Sequence, residues 1–238
     1  MFPYDPQIAA DVSVAPGTIA DVLRTMQTID AVCIDGDGLK WFNRLYFQVT
    51  QAVENRVAAG GFADPASLSL LDVEFAKLYF SALHGFLVNN RCSGCWYAMF
   101  SARSEAKIAR IQFALAGVNA HINHDLPLAI IATCNATTTV PQHGSNHYTD
   151  YTALNPTMDA LIEEAKQTLN VRLLGDALPP ASRLEDTIAA WDLATARENS
   201  WNNAESLWQE PAALRAAHLD IIDGLTAVIS KTLLVPVP

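Results

Sequence analysis

Charge is scarce in this sequence, and positive charge is scarcest. Only 17% of the 238 residues are charged, and 15 Lys and Arg stand against 25 Asp and Glu, which gives a formal net charge of −10. Nucleic acids and anionic membranes repel a surface with this excess of negative charge, so neither is an expected partner. Half of the residues are hydrophobic. That share excludes a disordered chain and provides enough apolar surface for a substantial core.

Long apolar runs and cysteines are also few. No segment approaches the uninterrupted apolar length that a membrane span requires. The first residues carry neither the basic nor the apolar stretch that is typical of a signal peptide. We therefore expect a cytoplasmic protein whose four cysteines remain thiols. Cys92 and Cys95 have the spacing of a redox or zinc motif but lack its usual context, and are interpreted as incidental thiols at a helix start.

Helical periodicity dominates the rest of the sequence. Residues 31–38, AVCIDGDG, are the one short run that resembles a strand. Helices are predicted over residues 18–30, 39–59, 65–89, 104–132, 147–154, 155–169, 183–209 and 211–234. Residues 1–17 are expected to be an irregular N-terminal arm, and residues 175–182 a turn-rich connector. We predict one all-α domain over residues 1–238, a multi-helix bundle of about eight helices with a central apolar cavity. Its packing is expected to include Trp191, Trp201 and Trp208.

The end of the longest predicted helix is the main candidate for a functional site. His121, His124 and Asp125 lie at positions i, i+3 and i+4, so one helical face carries all three. Histidine exchanges protons near neutral pH and often binds metals, and a neighbouring carboxylate can fix its tautomer. Gly117, one turn earlier, indicates close approach by backbone or ligand. The alternative is that the histidines are exposed and Asp125 only caps the next turn.

A second His/Asp pair follows a polar loop. His147 and Asp150 are three residues apart, and Tyr151 comes next. If the intervening segment folds back, this pair faces the first one across a shared cavity. The alternative is that Asp150 stabilises the first turn of its helix through the helix dipole.

The run D-G-D-G, with Asp35 and Asp37, allows several interpretations. An EF-hand fails, because its first and twelfth ligand positions would fall on Cys33 and Arg44. The phosphatases of the haloacid-dehalogenase type open with a similar strand and motif, but they need further strands that this sequence does not provide. A glycine-bent turn could direct one or both carboxylates into the cavity. In the simplest interpretation, Asp37 is a helix N-cap and the glycines form the turn.

Several longer strings go beyond these short patterns. They are DGDGLKWFNRLYFQVTQAV, FADPASLSLLDVEFAKLYFSAL, IQFALAGVNAHINHDLPLAI and HxxDY, within residues 30–155, and more faintly WNNAESLW. These strings resemble a bacterial family, common in actinomycetes, that is listed as a domain of unknown function. The resemblance implies an association with polyketide pathways, including spiroketal-forming cyclisation. In the family pattern position 124 can be Arg, which favours His121 and Asp125 over His124. The pattern G-x-x-x-H-x-x-x-D is also similar to helices of zinc-dependent phospholipases C, but this chain lacks their N-terminal Trp ligand and most of their histidines.

We therefore expect a general acid/base cyclase or dehydratase that acts, without a cofactor, on a small apolar polyketide-like molecule. The expected catalytic residues are His121, Asp125, Asp35, Asp37, His147 and Asp150. The expected substrate contacts are His124, Tyr151, Trp41 and Arg103. One alternative is a hydrolase that depends on zinc or another divalent metal, with the ligands His121, Asp125, His147 and Asp150. Another is a non-catalytic binder of a hydrophobic molecule, and a homodimer is left open.

Overall fold

The fold is all-α. The computed structural model describes residues 2–169, residue 174 and residues 192–236, and no strand occurs among them. The helices are α1 (Asp5–Val12), α2 (Ile19–Val32), α3 (Gly38–Ala58), α4 (Pro65–Asn89), α5 (Gly94–Ala102), α6 (Arg110–Ala120), α7 (Leu126–Thr137), α8 (Asn146–Thr152), α9 (Asn155–Leu169), α10 (Leu193–Gln209) and α11 (Ala212–Leu233), with a π-helical turn (His121–Asp125) between α6 and α7. They pack around one hydrophobic core and form a single domain. None of the described helices is both long and apolar enough to cross a bilayer.

Side-chain caps fix the starts of several helices. Thr18 and Asp21 form a capping box at the start of α2, with each side chain bound to the other residue's backbone N–H. Asp37 accepts the backbone N–H of Leu39 at the start of α3, and Asp64 accepts that of Ser67 at the start of α4. Each cap satisfies a donor that the helix itself leaves free.

Helix α6 is the centre of the bundle, with every residue from Ile111 to Ala120 buried. Two of its polar side chains bond to α11 and its end: Gln112 Nε2 donates to the Leu233 carbonyl (2.7 Å), and Asn119 Nδ2 to the Thr226 carbonyl (3.0 Å). Because both amides are buried, these bonds fix the register of α6 against α11.

Helices α3 and α6 interlock through two glycines. A Cβ atom at Gly117 of α6 would overlap the ring of Phe42, and one at Gly38 of α3 would overlap the ring of Phe113. Each ring therefore fills the space that a missing side chain leaves on the other helix. The group that approaches Gly117 closely, as its presence in a helix indicated, is therefore the Phe42 side chain of α3 and not a ligand.

The structure corrects the sequence prediction in four places. Residues 31–38 are not a strand, because α2 runs through Val32 and a loop leads directly to α3. The arm at residues 1–17 is not irregular throughout, since it contains α1. Helix α5 is absent from the predicted helices, although Cys92 and Cys95 were expected at a helix start and do lie there, and the long central helix starts at Arg110 rather than at residue 104.

The remaining predicted helices are present. The first part of the predicted helix 183–209, the connector 175–182 and Trp191 lie outside the described residues. Of the other two tryptophans, Trp201 is buried and Trp208 packs against the core, as predicted.

Candidate functional site

A π-helical turn interrupts the central helix at the predicted site. Over His121–Asp125 the backbone widens, and the N–H of Leu126 bonds to the carbonyl of His121 five residues earlier. The Ser200 hydroxyl of α10 lies 2.7 Å from the Ile122 carbonyl, to which it can donate. Single π turns are rare in proteins, and those that occur often lie at functional sites. His121, His124 and Asp125 therefore share one face as predicted, but on a turn that is wider than an α-helical one.

Asp125 accepts three hydrogen bonds. Its Oδ2 atom lies 2.9 Å from Nδ1 of His121 and accepts the indole N–H of Trp96 at 2.9 Å. Its Oδ1 atom lies 2.7 Å from Nδ1 of His124. Asp125, His121 and Trp96 are all buried, while His124 is partly exposed. The expected role of Asp125 as the group that orients His121 agrees with this geometry.

The protonation states follow from these contacts. Burial opposes the ionisation of Asp125, but the hydrogen bonds from His121 and His124 outweigh it and hold the pKa of this carboxyl below its ordinary value. Burial lowers the pKa of His121, and Asp125 only partly opposes that effect. His121 is therefore neutral at pH 7 and donates from Nδ1 to the carboxylate, which leaves its Nε2 atom unprotonated. Burial also disfavours protonated His124, but Asp125 and Asp223 raise the pKa of that ring.

The Nε2 atom of His121 is buried and has no hydrogen-bond partner. Aromatic rings surround the imidazole: Phe75 stacks on it with ring centroids 3.4 Å apart, and the Tyr46 centroid lies 4.6 Å away. A buried, unpartnered imidazole nitrogen is costly in a protein that has no use for it. It has the free lone pair that a general base requires.

His121 lines a small cavity, here called the His121 cavity, with apolar side chains and Tyr46 around it. Its volume is ≈ 40 Å³, and its walls come from α3, α4, α6, the π turn, α9 and Leu193 of α10. A single water molecule needs at least about 10–15 Å³, so the cavity holds a few waters at most. The predicted apolar cavity is therefore present, but a substrate must displace side chains to enter it.

A second cavity of ≈ 30 Å³, here called the Asp72 cavity, shares the side chains of Tyr46, Phe75 and Met158 with the first. Its polar lining includes Asp72 and Arg197. The Oδ2 atom of Asp72 and the hydroxyl of Tyr46 are buried without hydrogen-bond partners. Together with His121 Nε2, three unsatisfied polar atoms thus border two adjoining cavities.

Asp72 is the residue that the sequence analysis missed. Burial, reinforced by the nearby Glu54 carboxylate, raises its pKa to about 7. A large part of this carboxyl is therefore protonated at neutral pH, as a general acid must be. The signal was present in the sequence, because Asp72 lies at helical spacing between Leu68 and Phe75 on the buried stripe of α4. An acid on an apolar helical stripe has to be neutral, paired or functional.

Arg197 is a buried cation, 2% exposed, that forms no ion pair in the described part of the chain. Its guanidinium donates to Asn155 Oδ1 (2.6 Å) and to the Tyr151 carbonyl (2.8 Å) and lies 3.9 Å from the centre of the Tyr151 ring. Tyr151 in turn donates its hydroxyl to the Arg197 carbonyl at 2.8 Å. The predicted substrate contact Tyr151 is thus occupied in holding α8 against α10, and Arg197 is the group that borders the Asp72 cavity.

The carboxylates of the D-G-D-G run do not reach either cavity. Asp35 has a side chain that is 60% exposed and pairs with Lys40 Nζ at 2.8 Å. Asp37 is fully buried, caps α3 and forms a two-pronged ion pair with Arg103. Tyr4 Oη also donates to Asp37 (2.9 Å). The prediction that Asp35 or Asp37 lines the cavity is wrong, because Asp35 faces solvent and Asp37 is fully paired; the N-cap interpretation of Asp37 is confirmed.

Arg103 and Trp41, two predicted substrate contacts, belong to this same structural region. Arg103 joins Asp37 to Asp5 of α1, with 3.0 Å between its Nη1 atom and Asp5 Oδ1. Trp41 donates its indole N–H to the Asp35 carbonyl (3.1 Å), and the guanidinium of Arg110 lies 4.4 Å from its ring centre. Both side chains hold α1, α3 and the start of α6 together and lie outside both cavities.

The second His/Asp pair lies elsewhere. Asp150 accepts the backbone N–H groups of Ala63 (2.9 Å) and Asp64 (2.7 Å) ahead of α4, and His147 Nε2 lies 3.1 Å from Asp64 Oδ2. These residues line a third cavity of ≈ 20 Å³, which shares the side chains of Leu68 and Leu71 with the Asp72 cavity but does not reach the His121 cavity. The predicted facing of the two pairs across one cavity is wrong, because Asp150 is turned toward the start of α4. The alternative metal-ligand set His121, Asp125, His147 and Asp150 does not come together for the same reason.

Comparison with known proteins gives a family but no activity. A family model matches residues 19–236. The chain belongs to DUF5995, a family of unknown function. This confirms the expected membership of a domain-of-unknown-function family. No curated protein and no solved structure matches the chain. Membership of DUF5995 names no reaction, so a functional conclusion has to be argued from the site itself.

Proposed function

We propose that this protein is an enzyme that transfers protons on a small apolar molecule, with His121 as general base and Asp72 as general acid. The observation that carries the proposal is the pair of buried, unsatisfied groups, an unprotonated imidazole nitrogen and a carboxyl with a pKa of about 7, on adjoining cavities. Their environments set their protonation states in opposite senses, which is the pattern of an acid/base pair. The apolar lining of the His121 cavity selects for a hydrophobic substrate.

The reaction class that uses both groups is cyclisation with loss of water, or dehydration. One hydroxyl of the substrate first adds to the ketone, and its proton passes to the carbonyl oxygen, which gives a cyclic hemiketal. Asp72 then donates its proton to the hemiketal hydroxyl, the C–O bond breaks, and water departs, so that an oxocarbenium-like cation remains. The resulting Asp72 carboxylate stabilises that cation. A second hydroxyl of the substrate then attacks the cationic carbon, and His121 Nε2 takes its proton. Solvent exchange returns the proton from His121 to Asp72 at the end of the cycle.

Spiroketal formation on a polyketide-like chain is the finer proposal, and the family resemblance of the sequence supports it. Tyr46 and Arg197 are the further polar groups at the cavity walls, so they are proposed to bind substrate oxygens. Of the catalytic residues expected from the sequence, His121 is the base and Asp125 orients it, while Asp35, Asp37, His147 and Asp150 have no part in this proposal. The homodimer and the cytoplasmic location expected from the sequence stay predictions.

The test is turnover of a flexible apolar dihydroxy ketone that can close to a spiroketal, followed by chiral chromatography of the product. Wild-type protein is expected to give one spiroketal stereoisomer in excess over the spontaneous reaction. His121→Gln and Asp72→Asn should each lose about 10²–10⁴-fold in rate, the contribution typical of a positioned acid or base. Asp35→Asn, which changes an exposed carboxylate outside the cavities, should retain the wild-type rate.

Two results would overturn the proposal. The first is a His121→Gln variant that is folded and as active as the wild type. The second is binding of the ketone to the wild-type protein, followed as a change in tryptophan fluorescence, with no product formed beyond the spontaneous reaction. That outcome supports the alternative of a non-catalytic binder.

A further inference from the structure

Three potential metal ligands converge on the side of Asp125 that faces away from His121. Cys95, His124 and Asp223 each offer a ligand atom, and these atoms all lie within 4.8 Å of one another. They come from three separate elements, α5, the π turn and α11. No other group of three His, Cys, Asp or Glu in the described part of the chain has this arrangement.

His124 is oriented as a metal ligand usually is. Its Nδ1 atom lies 2.7 Å from Asp125 Oδ1, which leaves Nε2 as the free nitrogen. Histidines that bind metals generally donate their other ring N–H to a carboxylate or carbonyl, because this fixes the tautomer and the direction of the ring. Asp125 supplies that carboxylate here.

The other two groups retain capacity for a ligand bond. The Cys95 thiol is fully buried, and its polar contacts are the Ser93 hydroxyl at 3.3 Å and the Asp223 carboxylate. The two oxygens of Asp223 each accept one backbone N–H group, from Gly94 (2.7 Å) and Cys95 (2.9 Å), and the carboxylate also contacts the Cys95 thiol, whose proton a metal ion would replace. A Cβ at position 94 would lie 3.1 Å from Asp223 Oδ2, so Gly94 gives the carboxylate room to approach α5 closely.

Cys92 is a further thiol of the same region. It precedes Cys95 by three residues, the spacing found in structural zinc sites, but it lies outside the group whose ligand atoms are all within 4.8 Å of one another. The sequence argument against zinc was the lack of a second ligand pair nearby. His124 and Asp223, which are distant in sequence, supply that pair in the fold.

We propose that Cys95, His124 and Asp223 bind a zinc-like divalent metal ion, with water as the fourth ligand. Thiolate and imidazole ligands favour zinc over magnesium and calcium, which prefer oxygen ligands throughout. Such an ion joins α5, the π turn and α11 through one centre. The site lies outside both cavities and touches the proposed acid/base pair only through Asp125, whose two oxygens contact His121 and His124.

The test uses the full chain without a histidine tag, freed of metal by a chelator and titrated with zinc chloride in a calorimeter. One equivalent of zinc should bind and raise the melting temperature. Cys95→Ser and His124→Arg should each weaken zinc binding by more than about 100-fold, since they remove a direct ligand rather than a supporting group. His124→Arg places a fixed positive charge between Asp125 and Asp223, which should keep the protein folded without metal. Cys134→Ser, at a buried thiol outside the cluster, should bind zinc as the wild type does.

Cobalt chloride provides a readout that is specific for a cysteine ligand, and it is applied to variants whose folding has been confirmed by circular dichroism. Bound cobalt should show the thiolate-to-metal absorption of a cysteine ligand in the wild type and in Cys134→Ser. His124→Arg should lack it. The proposal is overturned if wild-type protein binds no stoichiometric zinc, if the cobalt absorption is absent, or if folded Cys95→Ser and His124→Arg bind zinc with wild-type affinity. In those cases Asp223 is only a cap for α5.

Discussion

Ionisation of Asp72 should make the protein less stable as the pH rises, and replacing Asp72 with asparagine should remove this loss of stability. Its ordinary pKa is 3.8, and burial with the Glu54 carboxylate raises it to about 7 in the folded state. Below pH 4 the carboxyl is protonated in both the folded and the unfolded chain, so its ionisation does not lower the free energy of unfolding. Between pH 4 and 7 the unfolded chain releases the proton while the folded chain retains it, so the free energy of unfolding falls as the pH rises. Above pH 7 the loss is constant.

The magnitude follows from the size of the shift. Moving the pKa from 3.8 to about 7 changes it by roughly three units. At 1.36 kcal/mol per unit, ionised Asp72 lowers the stability by about 4 kcal/mol at pH 8 relative to pH 4. An asparagine has nearly the same shape and no charge. Asp72→Asn should therefore become increasingly stable relative to the wild type over this range, by up to about 4 kcal/mol.

The assay is urea unfolding of the wild type, Asp72→Asn and Asp35→Asn at a series of pH values from 4 to 8, at constant salt. The quantity to compare is the difference in unfolding free energy between each variant and the wild type, so that every other titrating group cancels. Asp35→Asn keeps Asp72 and should follow the wild-type fall. If the wild type and Asp72→Asn have parallel stability profiles, Asp72 is not a buried carboxyl with a raised pKa, and its role as the general acid loses its basis.

Two further substitutions test the packing that holds the site. Gly117→Ala should destabilise the protein by about 1–3 kcal/mol in urea unfolding, because the added methyl group overlaps the Phe42 ring. The control Gly224→Ala, at an exposed position, should not lower the free energy of unfolding. A Gly117→Ala variant as stable as the wild type would show that α3 and α6 are not in close contact. Arg103→Met should cost about 3–5 kcal/mol, because it leaves the buried carboxylates of Asp37 and Asp5 without their cation, whereas equal stability of Arg103→Met and the wild type would contradict a buried ion pair.

The parts of the fold that could be predicted are those that local patterns determine. The apolar repeats of α3 and α4, and the caps at Thr18, Asp37 and Asp64, place these helices within a few residues of where they lie. The apolar run before Asp35 suggested a strand because a short buried segment has no distinguishing period. In the structure this segment is divided between the last turn of α2 and the loop that precedes α3.

Only those contacts of the site that join residues close in sequence could be predicted. The contact between His121 and Asp125 joins residues four apart, so their spacing was enough to predict it. The contact of Trp96 with Asp125 depends on how α5 packs against the π turn, which no local pattern contains. The same holds for His147 and Asp150, whose partners near Asp64 lie more than eighty residues earlier in the chain. Long-range pairing decided which polar residues reach the cavities and which serve the start of a helix.

The glycine contacts between α3 and α6 determine where a ligand can enter. Because Phe42 and Phe113 fill the spaces at Gly117 and Gly38, these two helices cannot slide or separate without losing both ring contacts. The part of the cavity wall that α9 and α10 supply includes Met158 and Leu193, and the described residues show no comparable glycine contact there. Methionine changes rotamer at low cost. The cavity wall thus has a rigid part and an adaptable part. His121 directly follows α6, which belongs to the rigid part. Substrates of different shape would therefore bind next to a base whose position does not change.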